Sequence, residues 1–531
     1  SGVLHGCMAA GLVAWLRGGV NADYRARGAL DGSTIPNPLG DIVNSDPLYV
    51  GAPKNAGYAN LPSGTGGQST YANDGGFLAT YATRQPMVYV GANDGMLHGF
   101  NADTGEEVLA YVPNSLFPIL ADLASTTYKH HYFVDGSPYV GDAFIGGAWR
   151  SVLIGSLGAG GKSVFALDVT DPIGHGFTAD NVLWEFTDSN MGQMVGQMTS
   201  SAVIGRLATG QWAAIFGNGY DSGTGAWLYI VNLEDGSLIR KIQVSTDTTN
   251  GLSAAALIRD SSRTIAGVYV GDLKGNLWKI DLTGKTSASW NIAYSGTPLF
   301  EATDDASTPN PQAITAPLEV SAHPLGGYLI YFGTGQYMRA TDPADVSVQT
   351  AYGIWDNSSL TQSTSDPTQA IWSGGSAITE GRDALIEQEI LLEGSLSDLN
   401  ADEDRTITDG DYEWRVLSQN SIDWGTLSSP TDRGWLLDLV SPATEEDDGE
   451  HGERVISRAQ LLPASGQVLF TTLIPTTSEN PCEGGDGKSW VMALDMYTGG
   501  RSKDATFDLN GDGVFNDSDL LTVTIDGQEV V

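Results

Sequence analysis

The chain has 531 residues, of which 41% are apolar and 67 are glycine, so it can bury a large core and contains many turns. Its formal net charge of −38 would repel nucleic acid and anionic membrane surfaces, which argues against both as partners. The longest apolar run, residues 8–16, is too short for a membrane-spanning helix. From the charge and the many turns we expect a soluble, cation-binding, extracellular protein made of short strands.

The first 45 residues predict a short helix followed by a polar lead-in. Residues 8–17 favour a helix, which the glycine pair after Arg17 ends. The chain begins without the charged region of a signal peptide, so we interpret it as a fragment whose export signal lies upstream. Cys7 and Cys482 could form a disulfide worth about 4–5 kcal/mol in an oxidising compartment, or they could be separate buried thiols.

A repeated unit begins near Pro47. Each copy has a short β run that ends in glycine, a turn, and a second β run that ends in an Asp-x-Thr-Gly-like turn. The clearest copy has its two runs at 268–271 and 277–281. Other first runs lie at 48–51, 88–91, 152–155, 214–217, 329–333 and 469–472, and further second runs lie at 96–100, 164–168, 228–231 and 490–495.

The spacing of these units indicates the fold. Five of the terminal glycines are separated by 64, 62, 54 and 62 residues, at positions 91, 155, 217, 271 and 333. That interval suits one four-stranded blade enlarged by loops, so the sequence predicts an all-β propeller of about six to eight blades. We expect one domain over 1–531, with a helix and lead-in at 1–45, blades at 46–340, an insertion-rich segment at 341–455, and closing blades at 456–531.

The segment 508–519 has the spacing of a calcium loop. Oxygen-bearing side chains fall at its positions 1, 3, 5, 9 and 12, which are Asp508, Asn510, Asp512, Asn516 and Asp519. Gly513 at position 6 permits the sharp turn, and Val514 at position 7 can offer its carbonyl. Position 12 is Asp rather than the usual Glu, so closure requires a tighter loop. The alternative is a solvated acidic turn.

The residues around the loop distinguish it from an ordinary EF-hand. Residues 520–525 are rich in β-branched side chains and predict a strand where an EF-hand has a helix. A related spacing occurs at Asp398–Asp409, where Glu403 replaces the turn glycine. That segment is a candidate second calcium site or a solvated acidic insertion, and 445–448 is a solvated acidic loop.

Motifs for other chemistry are incomplete. Gly158–Ser163 resembles a phosphate loop, but Ser156 replaces its first glycine and a strand is expected after it, so nucleotide binding is not predicted. His130 and His131 would point to opposite faces of a strand, which argues against joint metal ligation. The blade repeats resemble those of quinoprotein dehydrogenases. Those enzymes have an adjacent cysteine pair, which Cys7 and Cys482 cannot supply because they lie at opposite ends of the chain.

Several long motifs resemble the C-terminal domain of the PilC/PilY family of type IV pilus tip-associated proteins. The resemblance covers nearly the whole chain. It is carried by residues 39–50, 87–98, 132–136, 158–162, 166–172, 434–438, 452–454 and 481–485.

The resemblance implies a modified seven-bladed, quinoprotein-like propeller with long insertions and without the enzymology of quinoproteins. It implies a secreted adhesin and biogenesis protein at the pilus tip or outer membrane, exported through the periplasm, whose partners are pilins or minor pilins and host-cell or abiotic surfaces. A calcium ion would govern pilus extension against retraction, and hence twitching motility. The family's ligands fall on Asp508, Asn510, Asp512, the carbonyl of Val514, and Asn516, where an acid is expected; Asp517 or Asp519 could compensate. A calcium-dependent dehydrogenase is the alternative function.

Overall fold

The structure is a computed structural model that describes residues 10–27, 37–62, 67–394, 413–443, 449–475, 487–509, 512–520, 522–525 and 528–530. Those residues form two compact units. The first contains residues 1–267 and 282–290, and the second contains 268–281 and 291–531. In the described parts of the chain, no helix has the length and apolar character needed to cross a membrane. Nearly all regular structure is β, as the sequence predicts.

The helices of the first unit are short. Residues 10–16 form helix α1, inside the predicted segment 8–17. Three one-turn helices follow at α2 (Gln68–Tyr71), α3 (Phe77–Thr80) and α4 (Leu120–Leu123). Trp15 on α1 is buried, and its indole N–H donates to the carbonyl of Arg25 at 2.9 Å, so the predicted helix packs on the unit rather than standing apart.

An antiparallel four-stranded meander with its strands in chain order occurs three times along the first unit, and the third meander is part of a larger sheet. The first contains β1 (Leu48–Val50), β2 (Met87–Ala92), β3 (Met96–Asn101) and β4 (Glu107–Tyr111). The second contains β5 (Tyr139–Ile145), β6 (Ala148–Ser156), β7 (Val164–Asp168) and β8 (Val182–Phe186). The third contains β9 (Ile204–Leu207), β10 (Trp212–Gly217), β11 (Ala226–Asn232) and β12 (Leu238–Ser245). This repeated meander is the arrangement of propeller blades.

Two further strands lie after the third sheet. β13 (Ala256–Arg259) pairs with β14 (Thr264–Gly271), and the start of β14 runs parallel to β9. The second unit then adds β15 (Asn276–Asp281), β16 (Asn291–Ile292) and β17 (Phe300–Glu301), and β15 pairs antiparallel with both β16 and β17.

The next part of the second unit contains the predicted run at 329–333 and further strands that the sequence analysis did not assign. A sheet in the order β18-β19-β20-β26-β23 contains β18 (Glu319–Ala322), β19 (Tyr328–Gly333), β20 (Thr350–Asp356), β23 (Ile386–Gln388) and β26 (Gly434–Asp438). Two hairpins pair β21 (Ser359–Gln362) with β22 (Ala370–Ser373), and β24 (Ile390–Gly394) with β25 (Trp414–Leu417). Seven of these strands lie inside the predicted insertion-rich segment 341–455.

The end of the second unit carries a smaller sheet. It contains β27 (Gln460–Leu462), β28 (Gln467–Thr471) and β29 (Val491–Asp495), in that order. A terminal hairpin pairs β30 (Val523–Ile525) with β31 (Gln528–Val530), so the predicted strand at 520–525 is present in its second half.

The repeated turns hold neighbouring sheets together within each unit. At the end of β11, the N–H of Gly236 donates to the carbonyl of Asn232 at 2.9 Å, and Gly499 repeats this bond to Asp495 at the end of β29. Both glycines have φ of +73°, and a tryptophan lies directly over each: a Cβ on Gly499 would be 2.3 Å from the ring of Trp435. Only glycine therefore suits these two turns.

Each unit has its own apolar core. In the first unit, buried aromatic rings meet between sheets: Trp149 stacks on Tyr58 with centroids 5.1 Å apart, and Trp212 meets both rings edge-on. In the second unit, Trp435 and Phe470 lie in one cluster with Leu494 of β29. These cores fix the strands whose ends carry the candidate site.

Candidate calcium loop

The segment Asp508–Asp519 connects β29 to β30 in the second unit. The structure describes Asp508, Leu509 and residues 512–519. Asn510, the predicted ligand at position 3, lies outside the described residues. The other five predicted ligand positions can be placed.

The first half of the segment is wound by carboxylate to backbone bonds. Asp508 Oδ1 accepts from the N–H of Asp512 at 3.2 Å, and Asp508 Oδ2 accepts from the N–H of Gly513 at 2.8 Å. Asp512 Oδ1 in turn accepts from the N–H of Val514 at 2.7 Å. Gly513 has φ of +77°, a conformation that favours glycine. The turn predicted from the glycine is therefore present, and it orients two of the carboxylates.

The second half is closed by Asp519. Residues 517–519 form a 3₁₀ turn capped by Asn516, whose Oδ1 accepts from the N–H of Ser518 at 2.8 Å. Asp519 Oδ2 accepts from the N–H of Asn516 at 3.0 Å, and Asp519 Oδ1 accepts from the N–H of Leu509 at 3.0 Å. The short side chain thus reaches both ends of the loop because the 3₁₀ turn draws it inward.

Burial differs along the loop. Asp519 is 4% exposed, Asp508 is half-buried, and residues 512–518 are exposed. Among the residues that the structure describes, no three His, Cys, Asp or Glu side chains are gathered as metal ligands. The loop therefore has the turn and the oxygen donors that a hard cation needs, without bringing them to one point.

The polypeptide entering the loop is anchored to the sheet. Gln467, a buried residue of β28, donates from Nε2 to Ser502 Oγ at 2.7 Å, to the carbonyl of Asp504 at 3.2 Å, and to the hydroxyl of Thr506. Leu509 and Val523, on either side of the loop, are both buried. The segment that enters the loop is therefore tethered to the central strand of this small sheet.

Other sequence candidates are not gathered at this loop. His130 lies in the first unit, outside any strand, and its Nε2 is 2.8 Å from Asp41 Oδ2, whereas the ring of His131 packs against Tyr128. Separate partners, and not opposite faces of a strand, keep the two histidines apart. Gly158–Gly160 forms a 3₁₀ turn followed by β7, so the expected strand after the phosphate-loop-like motif is present. Cys7, Cys482 and 398–409 lie outside the described residues.

A buried ion-pair network beside the loop was missed by the sequence analysis. Arg415 on β25 contacts both oxygens of Glu453 at 2.6 and 2.7 Å and donates from Nε to Glu393 at 2.9 Å. The guanidinium also lies 4.1 Å from the ring centroid of Trp490. The only available signal was that Glu453 belongs to the family-like motif 452–454, because nothing local connects it to Arg415.

Comparison with known proteins identifies the family. The family model for the PilY1 beta-propeller domain matches residues 39–376. The type IV pilus biogenesis factor PilY1 of Pseudomonas aeruginosa PAO1 is 38% identical over 530 residues, which cover 94% of this chain and 42% of the relative. A PilY1 homolog of Xylella fastidiosa is 38% identical over 518 residues, covering 92% of this chain and 31% of the relative.

A solved structure supports the fold. The crystal structure of the Pseudomonas aeruginosa PilY1 C-terminal domain superposes with a TM-score of 0.70 at 34% identity, covering 91% of this chain and 92% of that chain. The prediction of an all-β propeller is thereby confirmed. The chain spans about two fifths or less of the length of these curated relatives. The chain therefore belongs to the PilY1 β-propeller family of type IV pilus biogenesis factors.

Proposed function

We propose that this chain is the calcium-binding, non-enzymatic C-terminal domain of a type IV pilus tip-associated protein, located at the cell surface. In this role it supports pilus biogenesis, regulates extension against retraction, and mediates adhesion to host-cell or abiotic surfaces. The observation that carries the proposal is the winding of the loop around Gly513, in which Asp508 and Asp512 accept consecutive backbone N–H groups. The names of the curated relatives, which are pilus biogenesis factors, support the setting and the absence of catalysis.

The donors of the proposed calcium site are all oxygens. They are the carboxylates of Asp508, Asp512 and Asp519, the amides of Asn510 and Asn516, and the carbonyl of Val514. Calcium takes about six to eight oxygen ligands, whereas softer metals prefer nitrogen or sulfur, so this donor set favours calcium. The ion would supply two positive charges to a segment whose carboxylates repel one another.

We expect the ion to act as a switch. Without it, repulsion among Asp508, Asp512 and Asp519 opposes convergence of the loop; with it, the loop becomes rigid and presents one fixed surface. A pilin or minor pilin must bind the two states with different affinity for the ion to bias assembly. Because Asp519 also bonds the N–H of Leu509, a shift of this carboxylate would move the buried start of the loop. The rival role is a structural ion that only orders the last sheet.

The function is tested in the full-length protein with Asp512→Ala. Asp305→Ala is the matched control, since it removes the same charge from an exposed residue of the same unit that lies outside the loop. Surface pili and twitching motility should decrease in Asp512→Ala at an unchanged amount of exported protein, and both should be retained in Asp305→Ala. Normal piliation and motility in Asp512→Ala would reject the switch. Calcium binding by the wild type, by Asp512→Ala and by Asp504→Ala, which removes the same charge just before the loop, would then separate a structural ion from no ion.

A further inference from the structure

In the described part of the chain, the last strand of the small sheet has an open edge. β29 lies at the end of the order β27-β28-β29, whereas the meanders of the first unit each contain four strands. The carbonyl of Trp490 accepts from Thr472, and the N–H of Met496 donates to Gly466, so the even-numbered residues of β29 face β28. Backbone groups alternate in direction along an antiparallel strand, so those of Val491 and Ala493 point to the open edge.

A cavity of about 660 Å³ adjoins this edge. It is enclosed by β29, by β25, and by the segment that enters and leaves the calcium loop. At the far end of β29, the N–H of Asp495 donates to the carbonyl of Gly500 at 2.9 Å, so the chain covers its own edge there. Val491 and Ala493, nearer the other end, face the cavity instead.

The lining suits apolar side chains and a polypeptide backbone. It includes Trp414, Trp490, Met492, Phe507 and Val523. Among the residues that the structure describes, the buried indole N–H groups of Trp414 and Trp490 have no hydrogen-bond partner, which is an unusual state for a buried donor. Val491 is 52% exposed and Phe507 is 40% exposed, so apolar surface continues from the cavity to the outside.

A buried ion-pair network supports one wall of the cavity, and the lining contains more acidic than basic side chains. The Arg415 network holds β25 against Trp490, with Arg415 and Glu453 almost fully buried. The lining contains the carboxylates of Glu413, Asp504, Asp508 and Asp519, and Arg501 as a second basic residue. Because the whole chain carries a net charge of −38, a segment that enters this site is favoured by basic flanking residues.

We propose that the edge of β29 and the adjoining cavity form an acceptor site for one extended segment of a partner protein. The segment adds as a fourth strand beside Val491 and Ala493, places alternate apolar side chains in the cavity, and carries lysine or arginine at its ends. Backbone bonds to the open edge give affinity, and the cavity selects the side chains. This site goes beyond the proposed function, since it requires no bound ion.

The proposal is tested on this chain with a labelled synthetic peptide, Lys-Lys-Val-Thr-Val-Thr-Val-Lys-Lys, by fluorescence polarisation in calcium and in chelator. The same peptide with alternate backbone nitrogens methylated is the matched ligand, because it keeps the side chains and loses the edge-facing N–H groups. We expect saturable binding of the first peptide both in calcium and in chelator, and binding about tenfold or more weaker for the second. Equal binding of the two peptides would overturn strand addition.

Val491→Lys places a charge on the edge, and Val346→Lys is its control because Val346 is similarly exposed, at 56%, and does not line the cavity. Only Val491→Lys should abolish peptide binding. Hydrogen exchange of the Val491 and Ala493 amides should be fast in the free chain and slow in the complex. Slow exchange in the free chain would mean that the chain covers its own edge. A dimer that the wild-type chain forms and Val491→Lys does not would mean that a second copy of the chain occupies the edge. Either result would overturn the proposal.

Discussion

Replacing Lys279 with Met should locally destabilise the second unit, because Lys279 forms an ion pair that water does not reach. Its Nζ lies 2.8 Å from Asp356 Oδ2, and the two side chains are 2% and 0% exposed. Asp356 also accepts from the hydroxyls of Tyr269 and Tyr294. Burial lowers the pKa of Lys279, and Asp356 only partly offsets this. Burial alone would raise the pKa of Asp356, but Lys279 and its hydrogen-bond donors outweigh that effect and lower it.

The variant Lys279→Met leaves the Asp356 carboxylate buried without its cation. Breaking one partner of such a pair costs about 3–5 kcal/mol, which corresponds to roughly two to four orders of magnitude in an opening equilibrium. The control is Lys241→Met in the first unit. Its partner Asp188 lies 3.0 Å away, but the two side chains are 27% and 21% exposed, so the expected cost is about 0–1 kcal/mol.

Hydrogen exchange followed by mass spectrometry can resolve this local effect. Amides of β15 and β20, which carry Lys279 and Asp356, should exchange much faster in Lys279→Met, whereas those of β11 should change little in Lys241→Met. Asp356→Asn in the Lys279→Met background removes the orphaned charge and should recover part of the protection. Unchanged exchange at β20 in Lys279→Met would refute the reasoning that burial makes this pair structurally decisive.

Two histidines and one glycine give further predictions. Burial lowers the pKa of His323 to about 4. As the pH falls below about 6.5, the unfolded chain therefore binds a proton that the folded chain does not, and the free energy of unfolding should decrease by about 3 kcal/mol. Urea unfolding at pH 7 and pH 4 should show this decrease in the wild type and not in His323→Phe. Burial alone would lower the pKa of His98, but Asp94 and Glu107 outweigh burial and raise the pKa. The stabilisation from His98 is therefore complete below the ordinary histidine pKa and is lost as the pH rises through the raised pKa. The imidazole should titrate above the ordinary value by NMR, and exposed His175 is the control. Gly513→Ala should cost about 1 kcal/mol of calcium affinity by calorimetry because φ is +77°, with no loss of folded structure by circular dichroism. A normal titration of His98, an unaltered acid response in His323→Phe, or full affinity in Gly513→Ala would each contradict its prediction.

The repeated strands could be predicted because their signal is local. The runs at 164–168 and 277–281 coincide with β7 and β15 almost residue by residue, because each of these strands pairs with strands that lie next to it in the sequence. In contrast, β20 is a continuous buried run, and its partner β26 follows only after an interval filled by other strands. No local period identifies such a pairing, so the sequence analysis assigned none of the strands that lie inside 341–455.

The candidate site likewise has parts that local sequence predicts and parts that it does not. Gly513 and the alternating oxygens predict the turn that Asp508 and Asp512 make. The hydrogen bond from the N–H of Leu509 to Asp519 forms because the 3₁₀ turn brings the Asp519 side chain inward. The spacing of the ligand residues does not predict that turn. The cavity depends on β25, β29 and the loop, which are far apart in the chain, and Arg415 meets Glu453 only through tertiary packing. No local sequence pattern predicts the cavity or the ion pair between Arg415 and Glu453.

The most direct test of the central claim is a calorimetric titration of calcium into the chelator-stripped chain. Wild type and Asp504→Ala should bind calcium at the loop, and one site should be lost in Asp508→Ala/Asp512→Ala. A second site that persists in the double variant would favour Asp398–Asp409. Binding at an unchanged number of sites in the double variant, or no calcium binding by the wild-type chain, would contradict the assignment of 508–519 as the calcium loop.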